Sequence, residues 1–552
     1  MEPIAYEQSP VQELYRFRNL VSDPDDIVIP ARPETRRVTD KKFTIVFIIG
    51  LIILVPFLAY TLMHSDPNNL RLYDDCGNFC GEENKHYSEW NCTGKDFRNK
   101  KYLGMRHRTF SSGIEHKSTR ECIENCTNEY YSCEDSDTSK NFKKLLNNIE
   151  EGTWTIIISL VTCSALCLVM LLLFKYAVDF TVWFLLISYI GFTAIGAFWS
   201  WYVYLNYSAK KKNSDGAISM LRLAIVLSIC TVVMMGLLLF FIKRVKLIIQ
   251  LFKESAKAIF EIPGMVFLPF LTFFPVTLNV ILYIVLCFYI FTARTLQDFG
   301  NHLEYDFDGA MIFTFILNIF IFLWIAYFMC GAQYMIISGA VSSWFFTRDK
   351  NYLDRPLRTS FMVFVKYHLG TVFLGSLIIA IVTFIKAILR ALSSNNRTRW
   401  IVECCCNEII AFLRLFSKNA YIQTAMHGQP FFKSGGRAVS LLVSNVENVI
   451  AINSLGDYVL IMAQILIIVI NGFLSNLIAQ ASGNENVDII VTICLVFNIF
   501  MVITFFGIFE ATIDSMFMCF CEDSLINDGM ARPYCMTKGL RQLIENSKTV
   551  FK

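Results

Sequence analysis

Long apolar runs recur along this chain, separated by short polar stretches. A hydrocarbon layer about 30 Å thick needs about 20 helical residues at about 1.5 Å of rise each. The first run of that length is Phe43–Met63, followed by Trp154–Phe174, Phe180–Leu205 and Ala217–Ile242. Pro263–Phe291, Met311–Phe346 and Phe361–Leu392 come next. Val439–Leu455, Tyr458–Ala481 and Ile489–Phe520 complete ten, the first of these three being short and carrying Glu447. The pattern predicts an all-α polytopic membrane protein of about ten transmembrane helices, with a disulfide-rich extracellular loop between helices 1 and 2. Met311–Phe346 is too long for one straight crossing, and Gly331 and Gly339 suggest a break or a strong tilt there.

The polar stretches set the orientation. Residues 1–42 read as an unstructured cytosolic tail, rich in proline and ending in Arg32, Arg36, Arg37, Lys41 and Lys42. Positive charge before the first run keeps that end inside, so residues 64–153 fall outside. This segment holds Cys76, Cys80, Cys92, Cys122, Cys126 and Cys133, an even set that implies three disulfides in one of fifteen pairings. It also carries the glycosylation sequons at Asn91 and Asn125. A zinc reading of Cys76/Cys80 and Cys122/Cys126 competes, and it is the weaker one outside a cell. Residues 154–392 form the membrane region of spans two to seven, within which 247–262 reads as an amphipathic helix on the inner surface. Residues 393–437, with the triplet Cys404-Cys405-Cys406, read as cytosolic. Residues 438–520 hold the last three spans and 521–552 a cytosolic tail. Two features resist this map: Lys210-Lys211-Lys212 falls outside, and Asn396-Arg397-Thr398 is a sequon in a segment assigned inside.

Composition narrows the class. The 552 residues are 55% hydrophobic and 17% charged, against about a quarter charged in soluble chains. The net charge of +3 points to no nucleic acid, because the basic residues flank apolar runs. No nucleotide loop, HExxH or GxSxG pattern appears, so no enzyme, cofactor or metal is expected.

One position calls for chemistry. Glu510 and Asp514 interrupt the last apolar run four residues apart, on one helix face. Bare carboxylates in hydrocarbon cost several kcal/mol. Either they face a wet cavity and attract a cation, or the helix leaves the membrane there and they reach interfacial water or a lysine.

Several blocks together resemble the choline transporter-like family: Gly339-Ala340-Val341 running into Trp344–Lys350, Tyr367-His368-Leu369-Gly370, Asn419-Ala420-Tyr421 with Phe431–Ser434, Asn453–Asp457, and Phe509-Glu510 with Asp514. Asn527-Asp528-Gly529, Pro533-Tyr534 and the cysteine-glycine pairs Cys76-Gly77 and Cys80-Gly81 extend the match from about Thr44 to Tyr534. Cys535 departs from it, standing where the family has an aromatic residue. The resemblance implies ten spans, cytosolic termini and a glycosylated first outer loop. It further implies sodium-independent movement of choline, with ethanolamine in some members and thiamine pyrophosphate in one. A plasma-membrane location follows, with organelle membranes also open, and the partners are a choline-like organic cation and the bilayer; the oligomeric state is not legible.

A quaternary ammonium has no N–H to donate, so aromatic faces and carboxylates hold it. Candidate binding residues are therefore Glu510 and Asp514, Trp199 and Tyr202, which are three apart on the third span, and Gln333 and Tyr334 beside the expected break. An interfacial aromatic belt is the competing reading of Trp199 and Tyr202. His368 is either a proton relay or a packed histidine at a helix start. A channel or lipid-handling protein, and a non-transporting surface protein with a partner-binding ectodomain, are the alternatives to a carrier.

Overall fold

The structure is a computed structural model. It describes residues 29–527 except 67–68, 70, 87–88, 91, 109–116, 127–131, 136–137, 210–214, 299, 301, 394, 445–455 and 484–485, and beyond them 532–537, 539 and 541. Among the described residues, nine helices are long and apolar enough to cross a membrane.

The helices are α1 (Lys41–Met63), α2 (Thr138–Tyr176), α3 (Val178–Ala209), α4 (Asp215–Glu261), α5 (Leu268–Thr292) and α6 (Gly309–Phe346). After them come α7 (Pro356–Leu392), which contains a π-turn at Phe364–His368, α8 (Asn396–His427), α9 (Phe431–Val443), α10 (Asp457–Ala481) and α11 (Val487–Ile526). The polytopic all-α architecture expected from the apolar runs is the one observed.

Two opposite ends of the bundle can be told apart by what sits on them. At one end, the segment before α1 is laced to α7, α8 and α9. Ala31 N–H donates to Met426 O at 2.8 Å and Thr39 N–H to Tyr367 O at 2.9 Å. Asp40 Oδ2 accepts from Thr371 Oγ1 at 2.8 Å and from Phe431 N–H at 2.9 Å. At the other end the cysteine-rich segment docks on the α5–α6 connection. That connection is a hairpin of β4 (Thr295–Asp298) and β5 (Leu303–Asp306), while β1 (Tyr102–Arg108), β2 (Lys117–Ile123) and β3 (Ser132–Asp135) form an antiparallel sheet in the order β2-β1-β3. Leu303 N–H donates to Asp75 O, and Asn69 Nδ2 to Thr292 O, both at 2.8 Å. We refer to these as the tail face and the cysteine-rich face.

Within the cysteine-rich segment, Cys80 is bridged to Cys122, with Cα atoms 5.4 Å apart, and Cys126 is also disulfide-bonded. Cys76 and Cys92 differ from the expected three bridges: both carry free thiols, side by side. Burial and the neighbouring Cys92 push the Cys76 thiol up to about 12. The side chain of Cys133 lies outside the described residues. Asn125 is exposed, and Asn91 lies outside the described residues.

Three elements depart from the hydropathy reading. Residues 247–262 do not lie on a surface but continue α4, whose Phe252 packs 5.3 Å from both Phe174 of α2 and Phe509 of α11. The amphipathic face that suggests a membrane surface is instead covered by two other helices. Next, α6 is continuous for 38 residues, about 57 Å at about 1.5 Å each, with no break. Its Gly339 serves close approach, since a Cβ there would fall 2.2 Å from Ser360 Oγ of α7.

The third departure is in 393–437. Asn396–His427 forms one helix, α8, and its Ser417 and Asn419–Met426 are buried in the bundle. Its direction follows from α1 and α7, which run parallel: Asp40 sits beside Thr371, Phe47 stacks on Phe373 at 4.5 Å, and Leu54 shares a buried cluster with Ala380. Leu392 therefore ends α7 towards the cysteine-rich face, and α8 runs back until Thr424 and Ala425 meet Arg36 at the tail face. The expected span Val439–Leu455 is represented by the 13-residue α9 up to Val443; residues 445–455 lie outside the described residues.

Candidate functional site

The acids of the last apolar run are met by two other helices. Lys418 of α8 donates to Glu510 Oε1 of α11 and lies 5.4 Å over the ring of Tyr334 on α6. Tyr334 in turn donates its hydroxyl to Asp514 Oδ2. Asp457, the first residue of α10, acts on the same lysine together with Glu510 and Asp514. One ammonium is thus paired with Glu510 and feels the charge of Asp514 and Asp457 as well. A burial this polar forms because each member has a partner from a different helix, which an isolated apolar span cannot supply.

The cluster is not fully enclosed. The Lys418 and Glu510 side chains retain 31% and 29% exposure, and Cys330, four residues before Tyr334, is exposed. Arg414, one turn from Lys418 towards the cysteine-rich face, donates to Tyr327 Oη at 3.1 Å. Towards the tail face the same three helices close. Ser515 Oγ donates to Ser338 Oγ at 2.9 Å, and residues 334–342, 419–426 and 515–523 are buried. Deeper still, Glu522 of α11 is fully buried, paired with Arg437 of α9 and 3.2 Å from His427 Nε2.

Two polar atoms beside the cluster have no partner. Gln333 Nε2 of α6 is buried without a hydrogen bond, on the side facing Gly507 of α11. Tyr421 Oη of α8 is also buried and unbonded, pressed against Gly331 and Gly375. Unmet buried donors are costly in a finished core and are tolerated where a site awaits a ligand or water.

Of the residues expected from sequence, Glu510, Asp514, Tyr334 and Gln333 are brought together. Trp199 and Tyr202 are not. They sit 6.0 Å apart on α3 with 64% and 52% exposure, turned outward as an interfacial belt turns, and they form no cage around the acids. His368 is also elsewhere, 1% exposed at the tail face. Its Nε2 lies 3.1 Å from Arg36 Nη1 and its Nδ1 2.9 Å from Thr39 Oγ1. A guanidinium only donates, so Nε2 accepts and the ring is neutral, a packed histidine and not part of a relay to the carboxylates.

Lys418 and Asp457 were not among the expected site residues. Lys418 directly precedes the resemblance block Asn419-Ala420-Tyr421, and Asp457 closes the block Asn453–Asp457; that placement was the available signal. Glu522 with Arg437 and His427 was invisible in one dimension, because its partners lie 85 and 95 positions away.

Comparison with known proteins agrees with this arrangement. The profile of the family described as "Plasma-membrane choline transporter" matches residues 225–525, which includes all of α6 to α8 and nearly all of α11. "Choline transporter-like protein 1" of Torpedo marmorata is 27% identical over 94% of this chain and 94% of its own length. The rat protein of the same name is 30% identical, covering 70% of this chain and 62% of its own length. "Choline transporter-like protein 2" of Dictyostelium discoideum is 31% identical over 56% of this chain and 51% of its own. Since the family profile spans more than half of the sequence and includes every helix that contributes Lys418, Tyr334 and the two acids, this multi-pass membrane protein belongs to the choline transporter family.

Proposed function

We propose that this chain is a carrier, not an enzyme, that moves choline or a related organic cation such as ethanolamine across the plasma membrane by alternating access and without sodium. The observation that carries this reading is the set Lys418, Glu510, Asp514 and Tyr334, with Asp457 beside it. A quaternary ammonium needs carboxylates and an aromatic face but no hydrogen-bond acceptors, and this set offers both. An arriving cation competes with Lys418 for Glu510 and the Tyr334 ring, while the Gln333 amide donates to a hydroxyl on the solute.

The resident lysine also explains how an empty carrier returns. A carboxylate left unpaired in the bundle costs several kcal/mol, which would trap the empty state. Lys418 closing back onto Glu510 removes that cost, the part a sodium ion plays in carriers without such a lysine. Partial exposure of Lys418 and Glu510, with the same helices closed towards the tail face, fits an outward-facing arrangement.

In this reading the tail face is cytosolic. It bears Arg36, Lys350, Arg355 and Lys433, whereas the opposite hairpin carries Asp298, Glu304, Asp306 and Asp308. With α8 counted as a crossing, the described residues hold ten, an even number that fits two cytosolic termini. Uptake of labelled choline into proteoliposomes tests the proposal. Saturable uptake that shows counterflow and survives replacement of sodium by potassium supports it. Non-saturating flux, or none, overturns it.

A further inference from the structure

We infer that Asn396 is an N-linked glycosylation site, presented at the tip of a helical hairpin that projects from the cysteine-rich face. The inference rests on the orientation proposed above, and it turns the one sequon that conflicted with the hydropathy map into a product of the fold. Asn396-Arg397-Thr398 opens α8, directly after the end of α7 at Leu392. Asn395 to Trp400 are all exposed. The Asn396 amide makes no hydrogen bond that would have to be broken, since Asn395 Oδ1 is the acceptor that caps Arg397 N–H.

The first turns of α8 are polar, carrying Arg397, Arg399 and Glu403, and they are cross-linked by charged side chains to the end of α7. Lys386 Nζ donates to Asn407 Oδ1 at 2.6 Å, and one turn further out Arg390 Nε lies 3.2 Å from Glu403 Oε1. Charged residues in such a ladder mark the level where hydrocarbon ends. Asn396 lies eleven residues beyond Asn407, about 16 Å at about 1.5 Å per residue. The other sequon outside the cysteine-rich segment, Asn206-Tyr207-Ser208, sits at the very end of the apolar span of α3, with no charged cross-link of this kind beside it among the described residues.

The chemistry is a transfer from a lipid-linked oligosaccharide. The side-chain amide nitrogen of Asn396 bonds to the anomeric carbon, and the bond from that carbon to phosphate oxygen breaks. The electron pair leaves with the lipid pyrophosphate, which also takes the amide proton. Thr398 supplies the hydroxyl that sequon recognition requires.

The full chain is expressed in glycosylating cells with Asn91, Asn125 and Asn206 all changed to Gln, and its mobility is compared before and after peptide N-glycosidase. The expected result is one remaining single-glycan shift, lost in Asn396→Gln and in Thr398→Ala and kept in Thr398→Ser. No remaining shift in the triple variant overturns the inference. If the wild-type chain also shows no shift, the proposed orientation falls with it; if the wild type shifts and the triple variant does not, only the assignment of Asn396 falls.

Discussion

Lys418 of α8 and Glu510 of α11 are ion-paired in a part-buried polar cluster with Tyr334 and Asp514, and 92 residues of sequence separate them. Removing one member of such a pair strands the other's charge, whereas removing both does not. Lys418→Met and Glu510→Gln should therefore each lower the thermal midpoint of the purified protein. The double variant should recover part of the loss, with a coupling of about 1–2 kcal/mol. Strictly additive losses would mean the pair holds nothing.

Arg36 is 8% exposed with no carboxylate paired to it among the described residues, and burial pulls its pKa down to about 10. Its guanidinium is held by Ala31 O at 3.0 Å, Thr424 O at 3.3 Å, Ala425 O at 2.6 Å and His368 Nε2 at 3.1 Å. That planar fork pins the segment before α1 across the ends of α7 and α8. Arg36→Ala should cost about 2–3 kcal/mol, as expected for hydrogen bonds to a charged group, and should expose the tail to protease. Arg36→Lys should not rescue it, because a lysine cannot span four acceptors in one plane. Unchanged proteolysis in both variants would contradict the anchor.

The same junction leaves no room at Gly370. A Cβ there would meet the Asp40 carbonyl oxygen at 2.3 Å and that of Thr39 at 2.7 Å, both backbone atoms that cannot swing away. Gly370→Ala is expected to destabilise by about 1–3 kcal/mol through overpacking. Hydrogen exchange should localise the loosening to residues 29–42 and the start of α7. Loosening spread evenly over the bundle would count against this assignment.

The Cys80–Cys122 bridge closes a loop of 42 residues, for which chain entropy gives about 4 kcal/mol. Cys80→Ser with Cys122→Ser should thus melt the cysteine-rich segment while leaving the helical signal in circular dichroism nearly intact. Cys76 and Cys92 already lie side by side, so mild oxidation should join them before any other free pair. Peptide mapping that finds Cys76 joined elsewhere would refute this.

Most of the membrane architecture was legible because lipid acts on single residues: nine spanning helices announce themselves through uninterrupted apolar runs. What was not legible is whatever protein rather than lipid surrounds. The start of α8 carries Arg397, Arg399, Glu403 and Glu408, too polar for a span by hydropathy, yet its buried half is closed over by α6, α7 and α11. The stretch 247–262 misled in the same way, its apolar face being covered by Phe174 and Phe509 rather than by headgroups. In the site, the acids stood out as charges in an apolar run. Their lysine did not, because it lies on a helix that already looked soluble. Trp199 and Tyr202 show the converse error: aromatic residues near a helix end have the composition of a cage, and only their outward direction reveals a belt.

Equilibrium binding of labelled choline to the purified full-length protein, with wild type set against Glu510→Gln, tests the central claim most directly. The Gln side chain keeps the shape and removes the charge. Loss of one close carboxylate–cation contact should weaken binding about tenfold or more, equivalent to about 1.4 kcal/mol. Tyr334→Phe, which keeps the ring, should weaken it less than Tyr334→Ala. An unchanged dissociation constant in Glu510→Gln, in protein that remains folded, would mean that the carboxylates facing Lys418 are structural and that the cation binds elsewhere.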